Sequence, residues 1–208
     1  MNPWNIDALE EIERESGHKI YNILQLRTHK AIIELRQKTK DKKAKTKANI
    51  DLTYITSRGK WYQYSWKGNL EKAGGIATNI GIHFFDMLMW IFGKAQYSEL
   101  HLNDPKKMAG FIELENANVR WFLSVDRNDL PKQVVSEGKP TFRSILIDGQ
   151  EIEFSGGFTD LHTMVYKNIL AGKGFGLSTA RSSIELVHAI RYNQPLQKKS
   201  DRFHPMVR

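Results

Sequence analysis

The apolar run from Ile76 to Phe92 carries Asn79, His83 four residues on, and Asp86 three residues further. At the helical period these spacings put the three on one side of a single helix. A histidine in the first turn of an apolar helix feels the positive helix end, which disfavours the imidazolium and leaves a neutral ring able to accept a proton near pH 7. The carboxamide of Asn79 is placed to orient that ring. General-base chemistry is one reading of the pattern, and a packed, hydrogen-bonded core histidine is the other. The residues alone leave both open.

A second group with chemical potential is the loop Ser57 to Gly68, where Arg58, Lys60 and Lys67 alternate with Trp61, Tyr62, Tyr64 and Trp66. Aromatics at this density usually cover something. Either Trp61 and Trp66 plug the side of the core, or the loop covers a ligand, loops being where sites concentrate. Charges at a rim, Arg58 and Lys67 among them, also keep such a loop soluble. Arg27 and His29, after the first apolar run, are within reach of the same region, although an arginine at a helix start is as often a surface residue. The sequence has no cysteine, which removes disulfides, thiolate metal sites and thiol nucleophiles together and agrees with a reducing compartment. No metal site is expected.

These groups need elements to hold them. The chain has 208 residues, 40% hydrophobic and 26% charged, values of an ordinary globular protein able to bury a core. No run approaches the roughly 18 apolar residues of a membrane span. Much of the net charge of +8 sits in Lys38 to Lys47, which has neither arginine nor aromatics and so lacks the stacking residues of a nucleic-acid groove; it reads as a solvated helix end and loop. Ile6, Leu9 and Ile12 recur at helical spacing behind Pro3, and Gly17 closes that helix. Lys19 to Leu26 reads as a buried strand, and His29 to Lys40 as an amphipathic helix with Ile32, Ile33 and Leu35 on its apolar side. Ala48 to Thr56 alternates as a strand. After the helix that ends at Gly93 come short alternating runs: Tyr97 to Leu102, Met108 to Leu114, Asn118 to Val125, Arg143 to Ile147 and Glu151 to Phe154. Asp148-Gly149 is a hairpin signal. Helices over Asp160 to Ala171 and Ser178 to Tyr192 complete the pattern. The expected fold is α+β: a mainly antiparallel open sheet with helices on one face over residues 19–208.

The stretch Gly74-Gly75-Ile76-Ala77-Thr78-Asn79-Ile80-Gly81-Ile82-His83-Phe84-Phe85-Asp86, followed by Trp90-Ile91-Phe92-Gly93, resembles the signature segment of the glucose-fructose oxidoreductase and inositol dehydrogenase family. The loop Arg58-Gly59-Lys60-Trp61-Tyr62 with Ser65-Trp66-Lys67-Gly68, the segment Val119 to Ser124, and Ile169 to Gly176 are similar to a narrower group, the UDP-N-acetylglucosaminuronate 3-dehydrogenases of surface polysaccharide biosynthesis. The resemblance covers nearly the whole chain. It implies an NAD-dependent hydride transfer in which His83 takes the proton of a sugar hydroxyl, with Asn79 beside it. The family commonly has an acidic residue at the position of Asn79, so this side chain can orient but not supply charge. Thr78, Trp66, Arg58, Lys67 and Arg27 become the substrate-side candidates for an anionic sugar nucleotide, and a homo-oligomer is implied; the expectation of a cytoplasmic protein rests instead on the missing membrane run and the acidic, patterned Met1 to Glu15.

The sequence contains no G-x-G-x-x-G after a strand, the turn that cradles a dinucleotide pyrophosphate, nor the family's Glu-Lys-Pro motif. Residues 1–18 therefore read as the remnant of an upstream Rossmann domain that would hold most of the NAD site, and the chain alone is expected to be inactive. The competing expectation is a non-catalytic sugar-binding or oligomerisation module.

Overall fold

A computed structural model describes the chain except for residues 1, 42–45, 69, 153, 155, 197, 199 and 208. In chain order the elements are α1 (Pro3–Ser16), β1 (Tyr21–Asn22), α2 (Lys30–Asp41), β2 (Ala48–Thr56), α3 (Lys60–Tyr64), α4 (Leu70–Ala73), α5 (Ile82–Phe92) and β3 (Ala95–Asp104). There follow β4 (Lys107–Leu114), β5 (Ala117–Ser124), α6 (Lys132–Ser136), β6 (Thr141–Ile147), β7 (Gln150–Glu151), α7 (Leu161–Leu170), β8 (Phe175–Gly176) and α8 (Leu177–Tyr192).

Six strands form one open sheet in the order β3-β4-β5-β2-β6-β7. Its pairings are antiparallel except between β2 and β5, which run parallel with Leu52 beside Trp121. Alternation along the strands gives the sheet two different faces. Ile50 and Leu52, with Val119, Trp121 and Leu123, meet the apolar side of α5 in the main core, where Trp121 stands edge-on to Phe85 at 5.2 Å. The intervening Ile55 and Phe122 point the other way and pack with Ala109 and Leu130. That second face is partly roofed by the C-terminal segment: the His204 ring lies along Phe122, and His204 Nε2 is 3.1 Å from Thr53 Oγ1. The expected sheet, with its long helices on one side, is therefore present. The hairpin at Asp148-Gly149 has φ of 49° and 80°, the left-handed pair a two-residue turn requires.

Helix α1 ends as anticipated, with Gly17 left-handed at φ 70°. Its Ile6 packs with Leu177, Ala180 and Ile184 of α8, and Asp7 and Glu10 both accept from Arg181.

Three expectations fail here. Lys19 to Leu26 is a strand only at Tyr21 and Asn22, which pair with Gly176 and Phe175; Gln25–Thr28 then closes into a 3-10 turn. A short apolar run without a second strand long enough to pair with it cannot sustain a ladder. Ile33 is 47% exposed while Ile32 is fully buried, because adjacent residues on a helix cannot share a narrow apolar stripe. Of the lysine run, residues 42–45 lie outside the described residues; Lys47 meets Glu113 at 2.7 Å. The last predicted strand shortens to Gln150–Glu151, and residue 153 of that prediction also lies outside the described residues.

Candidate active site

The helical run carrying His83 opens at two glycines with left-handed backbones, Gly74 and Gly75 at φ 75° and 80°. At Gly74 a Cβ would sit 2.5 Å from Thr78 Oγ1, the hydroxyl that donates to the Gly74 carbonyl, so the glycine makes room for this closure. A π-helical turn over Ala77–Gly81 then leads into α5. Such turns insert one residue into a helix and are frequent at functional sites. Gly81 lets the helix approach the sheet: a Cβ there would meet Phe85 at 2.7 Å and Leu123 at 2.9 Å.

His83 thus lies about two turns inside the helical run, not in its first turn, and the helix end does not account for its protonation. Burial does. Desolvation holds the His83 imidazolium below its ordinary range, Asp86 opposes this, and His162 adds to it by like-charge repulsion. The result has the direction expected at sequence level from a different cause, a ring that stays neutral at neutral pH.

Asn79 does not touch the ring. Its amide donates to the Lys67 and Gly75 carbonyls at 3.4 and 3.3 Å. The neighbour at His83 is Gln25, whose Nε2 is 3.4 Å from Nδ1. Asp86 is buried and takes a two-pronged contact from Arg27, Nε to Oδ2 at 2.8 Å and Nη2 to Oδ1 at 2.7 Å, with Ser183 Oγ at 3.3 Å. Arg27 therefore faces Asp86, with its guanidinium also near the Trp90 and Phe175 rings, and is held as a structural cation.

A cavity of about 330 Å³ opens beside His83. Of the sequence candidates it brings together His83, Asn79 and Arg58. Thr78 lies on a second hollow of about 190 Å³ that shares His83 with the first and is otherwise lined by residues such as Ile23, Ala180 and Ile184. Neither lining includes Trp66 or Lys67. Trp66 is 59% exposed with Lys67 Nζ over its ring at 5.8 Å, and Trp61 is also exposed, so neither tryptophan plugs the core; Tyr62 is the buried aromatic of that loop.

Sequence reasoning missed Gln25, Tyr54, Arg143, Phe158 and His162, all on the cavity wall. They come from the 3-10 turn at Gln25, from β2 and β6, from the segment before α7 and from the first turn of α7, so only the folded register shows their convergence. The second hollow is apolar and large enough for a flat heteroaromatic ring next to His83. No glycine-rich turn of the kind that cradles a pyrophosphate occurs among the described residues, so the fit to NAD is partial: room for the ring, no seat for the phosphates.

Residues 46–130 match the oxidoreductase family's C-terminal alpha/beta domain. Among solved structures, the chain is similar to the WlbA (WbpB) dehydrogenase from Thermus thermophilus in complex with NAD and alpha-ketoglutarate. Identity is 46% and TM-score 0.92 over 98% of this chain and 65% of that one. The same dehydrogenase in complex with NAD and UDP-GlcNAcA matches at 46% identity and TM-score 0.91 over the same shares. The WlbA dehydrogenase from Bordetella pertussis, at 15% identity and TM-score 0.71 over 91% of this chain, shares the fold. The chain spans about 65% of the length of these relatives.

Proposed function

Because this chain belongs to the glucose-fructose oxidoreductase and inositol dehydrogenase family through its C-terminal domain, we propose that it forms the substrate-side part of an NAD-dependent sugar dehydrogenase. The substrate of this reading is a UDP-N-acetylamino-uronic acid, oxidised at C3 in the biosynthesis of a surface polysaccharide. The observation that carries it is His83, neutral by burial, on the wall of a cavity that also presents Arg58 and Arg143.

His83 takes the proton of the sugar hydroxyl as the O–H bond breaks; the carbinol C–H bond breaks with its electron pair, and a C=O bond forms. When bound, NAD supplies the acceptor for that hydride. The base must lie near its substrate proton and have a pKa matched to neutral pH. Gln25 contacts the ring, the Arg27–Asp86 pair fixes the helix against the 3-10 turn, and Arg58 offers a cation to an anionic ligand. The apolar wall of Phe84, Phe158 and Leu161 limits water around the reacting hydroxyl. Thr78 faces the second hollow beside His83, whereas Lys67 and Trp66 reach the ligand through closure of the aromatic loop.

Self-association belongs to the same reading, since the roof over the second sheet face is partial and leaves a polar trough lined by Lys47, Glu113 and Arg120. No helix among the described residues is long and apolar enough to cross a membrane, and a cytoplasmic place is part of the proposal.

The test is a chimera joining this chain to the part of the Thermus thermophilus relative that it does not cover, assayed for NAD reduction with UDP-GlcNAcA. Turnover that disappears in His83→Gln with an unchanged melting temperature supports the reading. A chimera that binds the sugar nucleotide but never reduces NAD favours a non-catalytic binding module.

A further inference from the structure

Arg143 stands on β6 directly across from Tyr54 of β2, on the face of the sheet that meets the helices. It is half-buried, and its guanidinium carbon lies 4.3 Å from the centre of the Phe158 ring and 5.5 Å from that of Tyr54. Arg27, Arg120, Arg181 and Arg202 each meet a carboxylate. Among the described residues Arg143 meets none. The cavity it lines contains a second guanidinium, Arg58, and two histidines, and among the described residues no aspartate or glutamate lines it. The two rings offset part of the desolvation cost of this half-buried cation, but among the described residues no carboxylate neutralises it, so the cavity is short of one anion.

The shape of the group says which kind. Stacked on a ring, a guanidinium keeps its edge N–H donors free, and that planar fork matches the two oxygens of a carboxylate. At about 330 Å³ the cavity is at the small end of ligand pockets, room for a sugar ring rather than a whole nucleotide. Arg58 is the exposed cation of the two and is the one placed for a diphosphate outside. Resting on the reading of this cavity as the sugar site, we propose that Arg143 is the specificity-determining residue that receives the carboxylate of an acidic sugar. It makes the site select uronic acids over their neutral counterparts.

The test titrates the 208-residue chain with UDP-GlcNAcA, UDP-GlcNAc, UDP and free glucuronate, following heat and the ring resonances of His83 and His162. The wild type should bind UDP-GlcNAcA about tenfold or more tighter than UDP-GlcNAc. In Arg143→Gln that ratio should fall to about twofold or less, with UDP-GlcNAc binding unchanged. Arg143→Lys, which keeps the charge without the fork, should retain part of the ratio and serves if the glutamine variant melts early. A ratio that Arg143→Gln leaves intact overturns the proposal. So does an equal loss for UDP, UDP-GlcNAc and UDP-GlcNAcA, which would make Arg143 a diphosphate ligand. Glucuronate separates the two levels: binding of glucuronate that needs Arg143, without binding of any UDP sugar, sinks the sugar-nucleotide reading and leaves the carboxylate site standing. A wild type that binds neither acid overturns it.

Discussion

Gln25 Nε2 lies 3.4 Å from Nδ1 of His83, while Oε1 of the same carboxamide is buried without a partner. Half a turn about its last torsion would aim Oε1 at an Nδ1–H instead, fixing the ring proton on Nδ1 and leaving Nε2 as the basic nitrogen. In the chimera with a dinucleotide-binding part, Gln25→Leu should then lower kcat by about 10- to 100-fold, through lost orientation, with little change in KM. Gln25→Glu should keep more activity and move the acidic limb of the pH profile upward, because a carboxylate stabilises the imidazolium. A Gln25→Leu profile that matches the wild type removes Gln25 from the site.

His83→Gln in the same chimera should cost on the order of 100- to 10,000-fold in turnover, the usual contribution of a positioned base. Sugar-nucleotide affinity and melting temperature should be kept. Loss of activity matched by loss of folding returns His83 to the role of a packed core residue.

The depressed affinity of His83 for its proton has a signature in stability. Between the native value and the unfolded value of 6.5 the unfolded chain binds more protons, so stability rises with pH across that window. Above pH 6.5 the group contributes no penalty; as pH falls below it the native state loses ground until its own, lower value is passed. Urea midpoints from about pH 5 to 8 should therefore fall more steeply on the acid side for the wild type than for His83→Gln, the two running parallel above. Parallel curves throughout would show that burial does not shift this ring.

Arg27→Met should destabilise the chain by roughly 3–5 kcal/mol, because it leaves the Asp86 carboxylate buried without its cation. Both side chains are nearly inaccessible, at 10% and 4% exposure. If the variant instead keeps its stability and loses only ligand affinity, Arg27 is the substrate contact that its place in the sequence suggested.

The 208-residue chain alone should bind NAD more weakly than a micromolar dissociation constant, about −8 kcal/mol, because the described residues include no turn for the pyrophosphate. Calorimetry checks this, and micromolar binding would place a phosphate seat among residues assigned none here.

What could be read in the sequence divides along a physical line. Strands β2, β4 and β5 and helix α8 are written in local alternation or helical period, and their expected and observed limits differ by a residue or two. His83 is visible because a polar ring in an apolar helix is a local anomaly. The 3-10 turn at Gln25 is not visible, since a short apolar run has the same composition whether it pairs or curls. Arg143 reads simply as a strand residue: which face it takes, and that Tyr54 and Phe158 frame it, depend on a register set between strands nearly a hundred residues apart. In the aromatic loop the expectation that Trp61 and Trp66 plug the core fails. Its density of tryptophan suggests such a plug, yet Trp61 and Trp66 are exposed and Tyr62 is the buried aromatic, because a local pattern cannot say which ring of a dense cluster turns inward.

The parallel pairing of β2 with β5 has a consequence in time. Of the strands in this sheet β2 is made first, and both of its neighbours come later, β5 at Ala117–Ser124 and β6 at Thr141–Ile147. At synthesis rates of about 5–20 residues per second, Ile50, Leu52 and Ile55 wait several seconds or longer with two open edges. A nascent chain stalled before residue 117 would expose a β-rich, apolar segment with nothing to pair with except another copy of itself.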